Sequence, residues 1–148
     1  MLATFIHPSC GSRTSLIRKD IAMAKEQIAW KNKPEAEDYD GALNFLSLIF
    51  PDAKAERLLR ALHKAMNIER AAKDLLRASN LPLLPRDEPH VDEDLKRIHK
   101  GKPLAPVLLV RGDMSRGIPL IVADGYHRVC AICYYDESAP IPCRMASI

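Results

Sequence analysis

Ile121-Val122-Ala123-Asp124-Gly125-Tyr126-His127-Arg128-Val129-Cys130-Ala131 reads as an apolar strand that gives way to a helix at a glycine. The first amides of a helix have no partner within it and carry a partial positive charge, so anions bind there readily. Gly125 permits the bend and a close backbone approach. Arg128 can grip two oxygens of one phosphate, and His127 supplies an N–H or a titratable proton, both from the first helical turn. Asp124 would repel a phosphate set directly beside it, which suits it to orienting a metal or a hydroxyl, or to acting as a base. Tyr126 is placed to stack on a base or to shield the phosphate. Phosphate binding is accordingly assigned to Gly125, Tyr126, His127 and Arg128, and chemistry to Asp124 and His127. The plainer reading is that Asp124 caps the helix, His127 and Arg128 pair with acidic neighbours, and Tyr126 simply packs.

Upstream of the turn, residues 106–111 and 118–123 are largely apolar runs of strand length on either side of the turn-rich Gly112-Asp113-Met114-Ser115-Arg116-Gly117, and should pair as a hairpin. Downstream, residues 127–135 are helical in pattern, and residues 140–145, with two prolines, suit an edge strand or a strand end. Residues 91–100 form a helix with Leu95 and Ile98 inward, and Gly101 is placed to stop it through a left-handed backbone. Residues 67–71 suit a short strand, 73–78 a helical turn or two, and 81–89, with three prolines, an extended loop.

The first part of the chain has a different rhythm. Residues 1–14 show no period, whereas Ile17, Ile21, Ala24 and Ile28 recur at helical spacing across residues 15–30, as in a surface helix. Met23 is an alternative translation start. Residues 31–40, polar and holding Pro34, read as a linker. Residues 42–50 carry Leu43, Phe45, Leu46, Leu48, Ile49 and Phe50 so densely that a buried helix is expected. Asp52 is a good N-cap for a helix over 53–65, whose stripe is Leu58, Leu59, Leu62 and Met66. The architecture predicted is α+β: a small mixed sheet with flanking helices over residues 66–148, preceded by a helical hairpin at 35–65 and an N-terminal extension, 1–34, with one amphipathic helix.

A chain of 148 residues suits one domain, or a core with an appendage, and can bury an apolar interior without a metal or a disulfide. Its 28% charged residues and net charge of +3 describe an ordinary surface, not the basic density of a dedicated nucleic-acid protein. No apolar run approaches the roughly twenty residues that cross a bilayer. The opening Met1-Leu2-Ala3-Thr4-Phe5-Ile6 is shorter than a signal-peptide core, lacks a basic leader and soon meets Pro8, so a cytoplasmic protein is expected. Four cysteines, Cys10, Cys130, Cys133 and Cys143, are too few and too clustered for a secreted framework, and reduced thiols follow. His127, Cys130, Cys133 and Cys143 have the ligand count of a zinc site. Cys133 lies well round the helix axis from His127, however, and Cys130 and Cys133 sit among Val129, Ala131 and Ile132, so the thiols are read as small buried apolar groups and no metal site is assigned. His90 and Lys102 are placed to flank the same pocket, though a solvated cap and a surface lysine are the favoured readings, and residues 96–100 read as a wet helix face with an electrostatic funnel for a polyanion as the alternative.

The order of elements from about residue 66 to residue 148 resembles the ParB N-terminal/sulfiredoxin superfamily. The likeness is carried by Pro89-His90-Val91-Asp92-Glu93-Asp94-Leu95-Lys96-Arg97-Ile98, by Pro106-Val107-Leu108-Leu109-Val110 and by the Asp124-Gly125-Tyr126-His127-Arg128 turn. The resemblance implies a turn that binds nucleotide phosphates: ATP in sulfiredoxins and the related free-serine kinases, CTP in the partition proteins. By position it gives the phosphates to Gly125, His127 and Arg128, and matches Asp124 to the acid before the turn in the kinase-like members. Sulfiredoxins place their catalytic cysteine where this chain has Tyr126, so sulfinic acid reduction is not expected. Partition proteins append a helix-turn-helix after this domain, whereas this sequence ends at Ile148, and sequence-specific DNA binding is not expected either.

The function predicted is binding of a nucleotide, ATP or CTP with Mg2+, or of another phosphate-bearing small molecule, with phosphotransfer as its extension. The alternatives are a non-catalytic nucleic-acid or protein-binding module and a nuclease-like protein. Two-metal cleavage wants several acids close together, and the turn has one, so Asp92, Glu93 and Asp94 would have to supply the others.

Overall fold

The computed structural model describes residues 26–148. Their elements are α1 (Ala36–Ile49), α2 (Asp52–Lys64), β1 (Ile68–Ala71), α3 (Ala72–Ser79), α4 (Pro89–His99), β2 (Val107–Val110), β3 (Ile121–Asp124), α5 (Tyr126–Asp136) and β4 (Pro140–Ala146). The fold is α+β, with the strands in one sheet of order β1-β4-β2-β3. β4 runs antiparallel to β1 and parallel to β2, and β2 and β3 form the antiparallel pair expected of the hairpin.

Strand alternation divides the interior in two. Val107 and Leu109 of β2 face α3, α4 and α5, packing with Leu75, Val91, Leu95, Val129 and Ile132. Leu108 and Val110 face the other way, onto Tyr39, Ala42 and Leu46 of α1 and Leu58 and Leu62 of α2. All four β2 side chains are fully buried, so the strand reads as a continuous apolar run because it is covered on both faces. The helical pair at 35–65 thus forms a third layer over the β4-β2-β3 part of the other face.

Local chemistry sets most helix ends. At α4, Pro89 occupies the first turn, the Glu88 carboxylate accepts from the amides of His90 and Val91, and Gly101 follows at φ 68°. At α1, Glu35 and Asp38 form a reciprocal capping box, in which the Asp38 carboxylate accepts from the Glu35 amide at 2.7 Å.

Several expectations are corrected. Residues 31–40 are no simple linker, because α1 begins at Ala36 once the capping box closes. The expected helix at 15–30 falls mostly outside the described residues, and its last part, 26–30, is not helical: Trp30 bridges Leu104 in parallel and Ile28 packs on the core. Residues 42–50 are helical but not uniformly buried. At 100° per residue consecutive apolar side chains spread round the axis, so Leu46 meets the sheet while Leu48 is 86% exposed and Phe45 41%. Asp52 is the first helical residue of α2, not its cap, which is Pro51. Met66 is exposed rather than part of the α2 stripe.

β4 is an interior strand, not an edge. Both of its prolines precede Cys143, where pairing with β2 begins, so neither is required to donate into that ladder. On the other side they face only the short edge strand β1, with Pro142 opposite Glu69 and Pro140 opposite Ala71.

The contrast within α1 is testable. Leu46→Ala should cost about 2–5 kcal/mol, the range for emptying a packed leucine site, whereas Leu48→Ala should change stability by less than about 0.5 kcal/mol. Urea denaturation of the two variants beside the parent measures both.

Candidate functional site

The hairpin contains a one-residue irregularity where the site begins. Leu109 pairs with Val122, but the next residue back on β2, Leu108, pairs with Asp124, leaving Ala123 as the extra residue of a β-bulge. Without it, alternation would put Asp124 on the side of Val122, toward α3–α5. With it, Asp124 shares the face of Leu108, toward α1. Gly41 of α1 is part of the fit, since a Cβ there would stand 2.9 Å from Asp124 Oδ1.

Gly125 then turns the chain into α5 at φ 100°, and a Cβ there would meet Val107 Cγ2 at 2.9 Å. Both the backbone conformation and the lack of room call for glycine. No side chain caps α5.

Arg128, on the first turn of α5, is 12% exposed and heavily engaged. Its Nη2 donates to Asp124 Oδ2 at 2.5 Å and to Asp38 Oδ1 at 2.8 Å. Its Nη1 donates to the carbonyl oxygens of Ala105 at 2.8 Å and Pro106 at 3.4 Å. The guanidinium therefore ties together the start of α1, the lead-in to β2 and the end of β3. The fork assigned to a phosphate is held by two carboxylates, in the manner of the plainer sequence reading.

A cleft of about 470 Å³ opens beside this knot, lined by Asp124, Gly125, His127 and Arg128 together with residues of α1, α4 and the segment before α1. His90 and His127, each near the start of its helix, stand with ring centroids 4.9 Å apart at the cleft. His127 Nε2 lies 3.8 Å from Glu88 Oε2, the carboxylate that caps α4. His90 is thus exposed but belongs to the cleft, whereas Lys102 does not line it. Glu93 and Asp94 also line it, while Asp92 pairs with Lys96 at 2.6 Å.

The carboxyl groups here are under electrostatic pressure. Burial pushes the Asp124 carboxyl up to about 7; Arg128 opposes the shift, and hydrogen bonding and charge from Asp38 add to it. Burial also raises Asp94, against Arg128, Arg97 and His127, which favour its charged form. A carboxyl that titrates near neutrality in a cleft is suited to moving a proton.

Tyr126 does not line the cleft. It packs on the core and donates its hydroxyl to the Pro82 carbonyl at 2.5 Å, tethering the 81–89 loop as Tyr134 does through Leu84 at 2.7 Å. Cys130 and Cys143 are core residues with thiols raised by burial, and Cys133 packs beside them. Among the described residues no group of three or more His, Cys, Asp or Glu side chains is arranged to hold a metal ion by itself.

Asp38 was not legible as a site residue. It belongs to a polar segment ninety positions from Arg128, and its one local signal, a Glu35-x-x-Asp38 spacing after Pro34, marks a helix start rather than a partner.

Two measurements probe this geometry. Asp124 gives up its proton near pH 3.8 when unfolded and near 7 when folded, so the folded state holds an extra proton between those values and loses stability as pH rises across that interval. Urea-denaturation midpoints taken from about pH 4 to about pH 8 should show this decline, and Asp124→Asn should flatten it. Gly41→Ala, which in an exposed helix would stabilise by roughly 1 kcal/mol, should instead destabilise, because the new methyl meets a carboxylate pinned by Arg128. Comparison of the chain with protein-family models, with curated proteins and with solved structures finds no significant match.

Proposed function

We propose that the cleft binds a small phosphate-bearing ligand of the nucleotide class, ATP or CTP, with a phosphate at the start of α5 and Asp124 moving a proton beside it. The observation that carries this reading is the uncapped, glycine-led start of α5, which opens on the cleft beside His127 and His90. Helix amides and two imidazoles give an anion donors that do not depend on Arg128. In this reading Arg128 chiefly positions Asp124, and His127, its side chain 44% exposed, is the ring that meets the ligand. Tyr126 contributes only by fixing the loop and the helix start.

The charge balance narrows the ligand. Six carboxylates line the cleft, from Glu35, Glu37, Asp38, Glu93, Asp94 and Asp124, against three cationic side chains, Lys31, Arg97 and Arg128. Lys31 and Arg97 are themselves paired, with Glu35 and Glu93. Such a lining disfavours a nucleic-acid backbone, which wants a basic groove. It fits a phosphate that arrives with Mg2+, an ion commonly held by one or two carboxylates and completed by phosphate oxygens and water. Asp94 is the residue suited to hold it, and the ion would supply charge neutralisation at the phosphate, leaving Asp124 free to take a proton. Asp124 would then accept the proton of an attacking hydroxyl.

The convergence of Glu93 and Asp94 on the same cleft as Asp124 also favours a second reading, metal-dependent phosphodiester cleavage. Titration calorimetry with ATP and with CTP, each with Mg2+, should give saturable binding that His127→Ala weakens about tenfold to a hundredfold, the loss of one contact to a charged group. Absence of saturable binding by either nucleotide would overturn the proposal. Nicking of plasmid DNA that is lost in Asp124→Ala would favour the second reading.

A further inference from the structure

Arg128 carries the strongest permanent positive charge at the turn, yet both of its terminal nitrogens are fully used. Nη1 has two backbone carbonyls, and Nη2 has two carboxylates. These acceptors are not equivalent. The carbonyls belong to the lead-in to β2, which is fixed by the sheet. Asp124 lies four residues before Arg128, so that ion pair is local to the turn. Asp38 alone comes from another layer, the helical pair on the opposite face, ninety positions away. It is also preset: its other oxygen accepts from the Glu35 amide, and its place in the first turn of α1 favours its negative charge.

A carboxylate so placed presents to Arg128 the chemistry that a phosphate oxygen would present, an anionic acceptor at hydrogen-bond distance. We infer that Asp38 sets the phosphate affinity of the cleft by competing with the ligand for Arg128 Nη2, so that α1 carries a built-in competitor for the turn it covers. The inference rests on the phosphate reading of the cleft and adds a specific role for the helical pair. A ligand phosphate that reaches the guanidinium displaces Asp38 and takes the one Nη2 N–H that Asp38 held, while Asp124 keeps the other. One that does not stays at the α5 amides and His127. The competitor discriminates by charge: a dianionic phosphate can outbid a single carboxylate for the guanidinium, whereas a monoanionic ligand such as a carboxylic acid or sulfonate has no such advantage.

The test uses the whole chain, with inorganic phosphate and Mg-ATP as probes. Asp38→Asn removes the charge and keeps an oxygen able to accept from the Glu35 amide. It should bind either probe about tenfold more tightly than the parent, the scale of one charge-assisted contact. The gain should disappear when Arg128→Lys is added, because lysine has no Nη2 for Asp38 and the ligand to share. Equal binding by parent and Asp38→Asn, or weaker binding by the variant, overturns the inference while leaving the phosphate reading intact. Absence of binding by both overturns the two together. Should Asp38→Asn fail to fold, the parent decides by carboxyl carbon NMR: the Asp38 resonance should shift saturably with phosphate, and a signal that stays fixed while His127 responds refutes competition.

Discussion

One guanidinium ties three parts of the described fold together. Arg128 is bonded to α1 through Asp38, to the end of β3 through Asp124, and to the backbone ahead of β2 through Ala105 and Pro106. A charge so far removed from water is tolerated only because every neighbour offers an acceptor. The two apolar clusters lie on opposite faces of the sheet, and nothing in hydrophobic burial alone fixes how they are aligned with one another. Directional bonds from Arg128 contribute that alignment at the place where the cleft opens, as those of Arg144 on β4 to Tyr39 and His63 do further along the sheet.

The bulge at Ala123 is what brings the acid to this junction. A regular hairpin would send Asp124 toward the three-helix face, away from Asp38 and Gly41. By adding one residue to β3, the chain keeps Val122 in one core and moves Asp124 onto the side of the other. Gly125 and Gly41 then remove the two Cβ atoms that would stand in the way, one beside Val107 and one beside Asp124. Three small local choices thus place a carboxyl where burial and a second carboxylate hold its proton to near neutrality.

What was legible in the sequence was whatever periodicity and turn chemistry encode locally. The β2–β3 pair, the short strand β1, the helices α3 and α4, the stop at Gly101 and the loop before Pro89 all follow from residues within a few positions of one another. The α+β class follows from their order. What escaped depended on distant partners. Two prolines make residues 140–145 read as an edge strand or a strand end, because a ladder that starts only at Cys143 leaves no local mark. The density of apolar residues in 42–50 promises burial, but a helix can lay only one stripe of them on a sheet, and Leu48 falls outside it. Among the site residues, Asp124, Gly125, His127 and Arg128 come together at the cleft as the turn suggests. Tyr126 lies off the cleft because a carbonyl in the 81–89 loop takes its hydroxyl, and Asp38 enters from a segment that reads as filler.

The central position of β4 bears on how the chain assembles. β1 has no ladder with the β2–β3 hairpin and reaches it only through β4, with Ile68 and Val107 both set opposite Cys143. A nascent chain that has emerged as far as residue 139 can form its helices and the β2–β3 hairpin, but β1 has no partner strand, and Ile141, Cys143 and Ala146 are still missing from the two apolar layers. Both layers then stay incomplete until β4 slots between β1 and β2. Long-range closure of this kind is slow. The period of greatest aggregation risk therefore falls during synthesis rather than in the finished fold.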